Sequence, residues 1–237
     1  MKKLIAIAFA LVPCLCMAQG DWEKPVKQNQ EAKKALFSKN PANEDPKYLE
    51  GAVPTVDGKV VFTLDKDVPG KDAQQIYDIV AAYVKNSLVG AGLHDKLRPY
   101  TRIISEEKEN GMVVARVEEY MTFNHVTFLN LDRTRFRYLL SATVKGQKVS
   151  LVLTQISYYY NEDREGNNGT YYKAEEWITD KLAVNKKGTR LYPRSGKFRR
   201  KTVDRVEAIF DGFMDALSTM EVEEQVLTKK RKGIVEE

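Results

Sequence analysis

Arginine and tyrosine are the side chains whose spacing suggests chemistry here. Between 133 and 145 the alternation puts Phe136, Tyr138, Leu140, Ala142 and Val144 on one face of a strand and Arg133, Arg135, Arg137, Leu139 and Thr143 on the other. If Gly146-Gln147 is a two-residue turn, the returning strand sets Arg133 opposite Tyr160, Arg135 opposite Tyr158 and Arg137 opposite Ile156. Such a ladder of guanidinium groups and rings can hold an anionic ligand through cation–π contacts and forked hydrogen bonds. The plainer reading is that arginine covers tyrosine to keep an exposed sheet soluble, worth a few tenths of a kcal/mol per cross-strand pair.

A second basic cluster, Arg190, Arg194, Lys197, Arg199, Arg200 and Lys201, reads as a loop leading into the last helix. An anion at that helix N-terminus would meet free backbone N–H groups together with Lys197, Arg199 and Arg200. The alternative is pairing with Glu175, Glu176 and Asp180. Ser195-Gly196-Lys197 is not a phosphate loop, because Phe198 stands where that motif needs Ser or Thr.

Other constellations are thin. His94 and His125 have no partner at ligand spacing, and Cys14 and Cys16 both fall at the extreme N-terminus. These positions point away from zinc, haem, thiol catalysis and a disulfide framework, and the spacing implies no cofactor. Asn161, Asp163 and Glu165 followed by Gly166 imitate the start of a calcium loop, but its twelfth position is Tyr172 rather than Glu. Glu175 and Glu176 are adjacent and point apart, so they are no acid–base pair by spacing. An enzyme is thus disfavoured, and a hydrolase would need carboxylates brought together from distant segments.

The 237 residues, 43% hydrophobic and 30% charged, fit a globular chain. Met1-Lys2-Lys3, the apolar run Leu4 to Val12, and Pro13 to Ala18 have the layout of a signal peptide cleaved near Ala18. The expected location is therefore the periplasm or the exterior. The apolar run is shorter than the roughly 20 residues that span a bilayer, so the mature chain has no expected transmembrane segment. The net charge of +5 falls to +3 when Lys2 and Lys3 leave.

Residues 19–51, with Pro25, Pro41 and Pro46 among polar residues, read as a flexible leader, 52–220 as the domain, and 221–237 as a charged tail. Val60 to Leu64 predicts a strand. Asp72 caps a helix whose stripe is Ile76, Ile79, Val80, Tyr83, Val84 and Leu88, ended by Gly90 and Gly92. Thr101 to Lys108 and Met112 to Phe123 flank Asn110-Gly111, a strong hairpin signal. Arg133 to Lys145, Lys148 to Tyr160 and a helix over Val203 to Leu217 complete a β-α-β-β-β-β-α order. Hairpin-linked strands and singly striped helices predict an α+β fold, one antiparallel sheet with two helices on one face.

Ala174-Glu175-Glu176-Trp177-Ile178-Thr179-Asp180 and Ser195-Gly196-Lys197-Phe198-Arg199-Arg200-Lys201-Thr202-Val203-Asp204 resemble a family of exported proteins of Gram-negative gut bacteria. That family is a domain of unknown function with a fold similar to the TATA-box-binding protein. The resemblance, over Val60 to Leu217, implies a TBP-like order of elements and no particular activity. Nucleic acid is not an expected partner, since prying base steps apart through a sheet needs a strong positive field as well as apolar wedges.

The residues favour a non-catalytic binding module of the cell envelope, using the sheet face or the basic loop on an anionic glycan, a lipid headgroup or a peptide. The alternatives are a structural or assembly component of an envelope complex and, behind it, a hydrolase.

Overall fold

The structure, a computed structural model, describes residues 44–90, 99–124, 132–162 and 168–235. The stretch read as a signal peptide, the leader up to residue 43, both histidines and most of the calcium-like loop lie outside these residues.

The elements run as a small hairpin of β1 (Thr55–Val56) and β2 (Lys59–Val60), then β3 (Phe62–Asp67) and α1 (Ala73–Tyr83). Next come β4 (Arg102–Glu107), β5 (Met112–Asn124), β6 (Asp132–Lys145), β7 (Lys148–Tyr160) and β8 (Thr170–Lys173). The short α2 (Asp180–Ala183) and the long α3 (Pro193–Val235) close the chain. The main sheet is antiparallel, ordered β3-β7-β6-β5-β4, and β8 shares with β3 the outer edge of β7. The predicted strands and helices occur in that chain order, with the leading hairpin, β8 and the short α2 added to them.

Local chemistry accounts for the elements. Asp72 and Gln75 form a reciprocal cap on α1: the Asp72 carboxylate accepts from the Gln75 N–H at 2.8 Å and the Gln75 side chain from the Asp72 N–H at 3.0 Å. Gly111 turns β4 into β5 at φ 64°, where a Cβ would also overlap the Val144 carbonyl.

Both helices pack on the face that carries Phe136, Tyr138, Leu140, Ala142 and Val144, all buried as the alternation predicts. Ile76, Ile79 and Tyr83 from α1 and Ile209 and Phe213 from α3 complete this core. Burying each such side chain contributes roughly 1.5–3 kcal/mol. Tyr83 ties the helices together: its hydroxyl donates to the Ile209 carbonyl at 2.7 Å and its ring lies 5.7 Å from Phe213. Burial pushes the Tyr83 hydroxyl up to about 12. Phe210 of α3, though at the three-four spacing of that helix's apolar stripe, is only half-buried. Beneath the sheet, Arg205 of α3 forms a two-pronged pair with Glu119 of β5 at 2.6 and 2.8 Å.

Two boundaries differ from the sequence reading. The last helix begins at Pro193 and runs 43 residues, rather than spanning only Val203 to Leu217. Pro193 suits the first helical position, where its missing N–H costs nothing. The stretch read as a basic loop is therefore already helical. The end of the supposed leader is also ordered: Asp45 caps a 3-10 turn at Pro46–Tyr48, and the Tyr48 hydroxyl donates to Asp204 of α3 at 2.8 Å.

Candidate functional site

The outer face of the sheet, opposite the helices, brings together most residues of interest, but not in the register expected from the turn alone. At Gly146-Gln147 the two-residue turn sets Lys145 opposite Lys148, and that register holds as far as Leu139 opposite Thr154. Then β7 bulges. Gln155 adopts φ 53°, two residues of β7 face one of β6, and every later side chain changes face. Arg135 consequently stands opposite Tyr159 and Arg137 opposite Ser157.

Tyr158 and Tyr160 do not belong to the outward ladder; both face the helices. Tyr158 is fully buried, shares a hydrogen bond of 2.7 Å with Thr202 of α3, and packs against Phe136 and Phe198. Burial raises its pKa well above the ordinary tyrosine value. In its place Tyr159 faces out, flanked across β8 by Tyr171, which is 52% exposed.

The three arginines of β6 form a neutralised layer on this outer face. Glu118 of β5 is fully buried between Arg135 and Arg137, with Arg135 at 3.5 Å and Arg137 in direct contact. Arg135 also donates from Nε to Glu162 at 2.7 Å. Arg133 lies 3.8 Å over the Tyr120 ring and Arg137 4.1 Å over Tyr100. Desolvation pushes the Glu118 carboxyl upward against the pull of both guanidinium groups. Thr101 fixes the Glu118 backbone, donating to its carbonyl at 3.1 Å and accepting from its N–H at 2.9 Å. With side chains only 17% and 24% exposed, Arg135 and Arg137 are structural partners rather than free cations.

Three members of the second basic cluster, Lys197, Arg199 and Arg200, are spent on the fold as well. Arg199 is completely buried and donates to the carbonyls of Tyr48, Leu49 and Ile178 and to the Asp180 carboxylate. Arg200 forks onto Glu44. Of the acids named as partners from sequence, Asp180 does take this role; Glu176 instead pairs with Lys173 at 3.5 Å, and Glu175 accepts from the Val60 N–H. Lys197 is joined to a residue of the other cluster. Its Nζ donates to Asp132 at 2.8 Å and to the Tyr160 hydroxyl at 2.7 Å, and Tyr160 donates to Asp132 at 2.6 Å. Burial, then the Asp132 hydrogen bond, raise the Tyr160 pKa. Phe123 and Phe198 flank the ammonium at 4.5 and 5.5 Å.

Elsewhere the outer face is open. At its far end, where β3, β7 and β6 run side by side, a depression of about 580 Å³ is lined by Asp65, Asp67, Thr143, Lys145, Lys148 and Ser150. The rows between depression and arginine layer carry half-buried Val114, Leu139, Ser141, Val152 and Thr154, with exposed Arg116 and Arg102. Sequence reasoning placed Leu139 and Thr143 on this face but passed over the others, because none falls in a motif. Among the described residues no group of three or more His, Cys, Asp or Glu could hold a metal ion. No helix among them is long and apolar enough to cross a membrane.

This architecture has solved relatives. A family model described as a domain of unknown function (DUF4468) with a TBP-like fold matches residues 62–159, from β3 almost to the end of β7. The crystal structure of a DUF4468 family protein from Bacteroides ovatus is similar at 36% identity and a TM-score of 0.65, covering 73% of this chain and 95% of that one. The chain belongs to the DUF4468 family. A TBP-like protein from Parabacteroides distasonis, at 19% identity, a TM-score of 0.54 and coverage of 70% and 97%, shares the fold. No curated protein matches the sequence. The DUF4468 match includes the arginine layer, the bulge and the open rows, and ends before Lys197, Arg199 and Arg200 of α3.

Proposed function

We propose that the protein is an exported, non-catalytic binding module of the cell envelope, and that the outer sheet face is its recognition surface. The observation that carries this is the depression beside β3: both long helices pack on the other face, leaving about 580 Å³ lined by hydroxyls and charges of both signs. Asp65 and Asp67 on one side and Lys145 and Lys148 on the other can orient a polar ligand, while Thr143 and Ser150 supply donors and acceptors from the floor. Export is supported by the N-terminal sequence, and the ligands in view are an anionic glycan, a lipid headgroup or a peptide. Of the residues that suggested anion binding from sequence, Arg135, Arg137, Lys197, Arg199 and Arg200 are occupied by intramolecular partners. The reading therefore moves from Arg133, Arg135, Arg137, Tyr158, Tyr160, Lys197, Arg199 and Arg200 to the open rows and the depression.

Thr143→Trp fills the depression from its floor. Calorimetric titration against panels of envelope glycans, headgroups and peptides should show wild-type binding that this variant loses. Undiminished affinity in Thr143→Trp would move the site elsewhere.

A further inference from the structure

We propose that Arg102 and Arg116 form a phosphate-binding subsite on the outer sheet face, a refinement that rests on that face being the recognition surface. The two arginines are direct cross-strand partners of β4 and β5, and both are exposed. Like charges placed directly opposite one another in a sheet are unfavourable. Nothing nearby relieves them: Arg102 donates Nη1 to the Pro99 carbonyl at 2.9 Å, and among the described residues neither guanidinium has an acidic partner. The nearest acid along β5, Glu118, is held by Arg137 and Arg135. The Glu107 carboxylate of β4 accepts from Ser105 and Asn110.

The juxtaposition is made by a bulge. From the hairpin, Glu107 pairs with Met112 and Ser105 with Val114, but the register shifts between Ser105 and Ile103. Without that shift Arg102 would face Val117, on the buried side of β5; with it the two arginines meet.

An added dianion changes the sign of this arrangement. Two planar forks can each give paired N–H donors to one phosphate, and a charge approaching −2 near neutral pH matches two guanidinium groups. Next along the same row is Leu139, and the adjoining row carries Val114, so the group attached to the phosphate meets a partly apolar shelf that leads toward the depression. The chemistry recognised is a phosphate ester, borne by a lipid headgroup or by a small phosphorylated molecule.

The test compares the full chain with Arg116→Gln, Arg102→Gln and Thr143→Trp at low salt. The probes are sodium phosphate and glycerol phosphate, against sodium chloride of matched ionic strength, and phosphatidylcholine vesicles with and without phosphatidic acid, whose headgroup is a phosphate monoester. Wild-type melting temperature should rise with phosphate beyond the chloride control, and either Gln variant should weaken phosphate affinity about tenfold. Without ligand, each Gln variant should melt about 1–3 °C higher than wild type because the repulsion is gone. That combination, more stable and less responsive, separates a binding subsite from a structural pair. A vesicle response that depends on Arg116 identifies the lipid as the source, and a response to phosphate and glycerol phosphate with none to the vesicles identifies the soluble ester. No phosphate response in wild type, or Gln variants that melt lower, overturns the subsite. If Thr143→Trp abolishes the phosphate response while Arg116→Gln keeps it, the subsite is wrong and the recognition face stands. If both variants respond like wild type, the ion binds elsewhere and the subsite fails too.

Discussion

Two neighbouring parts of the outer sheet face carry arginine pairs, and the pairs have opposite roles. In one, Arg137 meets Glu118, which Arg135 of the next row also reaches, and Arg135 is further fixed by Glu162. In the other, Arg102 and Arg116 oppose each other with no acid between them. Residue type, face and solvent side are the same. What differs is the register set by two bulges, one near Ile104 and one at Gln155. The first bulge sets two cations face to face. The second turns Tyr158 into the core and sets Ser157 and Tyr159 opposite the β6 arginines, whose meeting with the buried Glu118 carboxylate comes from the regular β5–β6 register. Charge counts alone would treat the two parts as equal; their partners make one a structural brace and the other a surface with unspent charge.

The bulge at Gln155 makes the largest contrast available, because it separates two neighbouring tyrosines. Tyr158→Ala removes a fully buried ring and the hydroxyl paired with Thr202, and should cost about 3–5 kcal/mol. Tyr159→Ala, on the outer side of the same strand, should cost less than about 1 kcal/mol. Urea unfolding of both variants checks this, and similar midpoints would mean that the strand runs through without the bulge.

Glu118 tests the brace itself. Glu118→Ala leaves Arg135 and Arg137 without their shared carboxylate in a mostly covered layer, at an expected cost of about 3 kcal/mol. The same measurement on Arg116→Gln should show no loss. Equal losses would erase the distinction between the two parts.

Alkaline pH probes the side under the helices in the same way. The folded protein keeps the Tyr83 proton up to about 12, whereas an unfolded chain releases it near 10. The folded state binds this proton more tightly, so the contribution is whole below about pH 10 and is lost as pH climbs toward 12, amounting to about 2–3 kcal/mol. Tyr83→Phe should flatten that part of the stability profile. An unchanged slope between pH 10 and 12 would assign the loss to other groups.

Much of this architecture was legible before any coordinates. The Asp72 cap, the Asn110-Gly111 hairpin and the inward set of β6 follow from short-range rules that act within a few residues. The bulges were not read, because each depends on one residue's backbone; at Gln155 the signal was the change of the apolar set from the odd positions Val149, Leu151 and Leu153 to the even positions Ile156 and Tyr158, which the register of the two-residue turn overrode. Gln155 gives no glycine signal despite its positive φ. The start of α3 was hidden for another reason. Gly196 and a run of basic residues read as loop, although Pro193 was available as a first-turn marker and Arg199 serves the core by donating to the carbonyls of Tyr48, Leu49 and Ile178. The meeting of Tyr160 with Lys197 depends on the bulge and the early helix together, so neither cluster could announce it alone.

The smallest expected effect addresses the bulge directly. A non-glycine residue at φ 53° carries a steric penalty that glycine lacks, while glycine adds backbone entropy to the unfolded chain. For an exposed side chain such as Gln155 the first term is the larger, so Gln155→Gly should stabilise the protein by about 0.5–1 kcal/mol and leave the faces of Tyr158 and Tyr159 unchanged. Gln155→Val, with a β-branched side chain that resists positive φ, should do the reverse and drive the strand toward the unbulged register. That slip would bring Tyr158 out beside Arg135, which tyrosine fluorescence quenching by an external agent reads directly. Stabilisation by Val and loss by Gly would show that the positive φ at Gln155 is not what sets the register, and the separation of the β6 arginines from Tyr158 would need another cause.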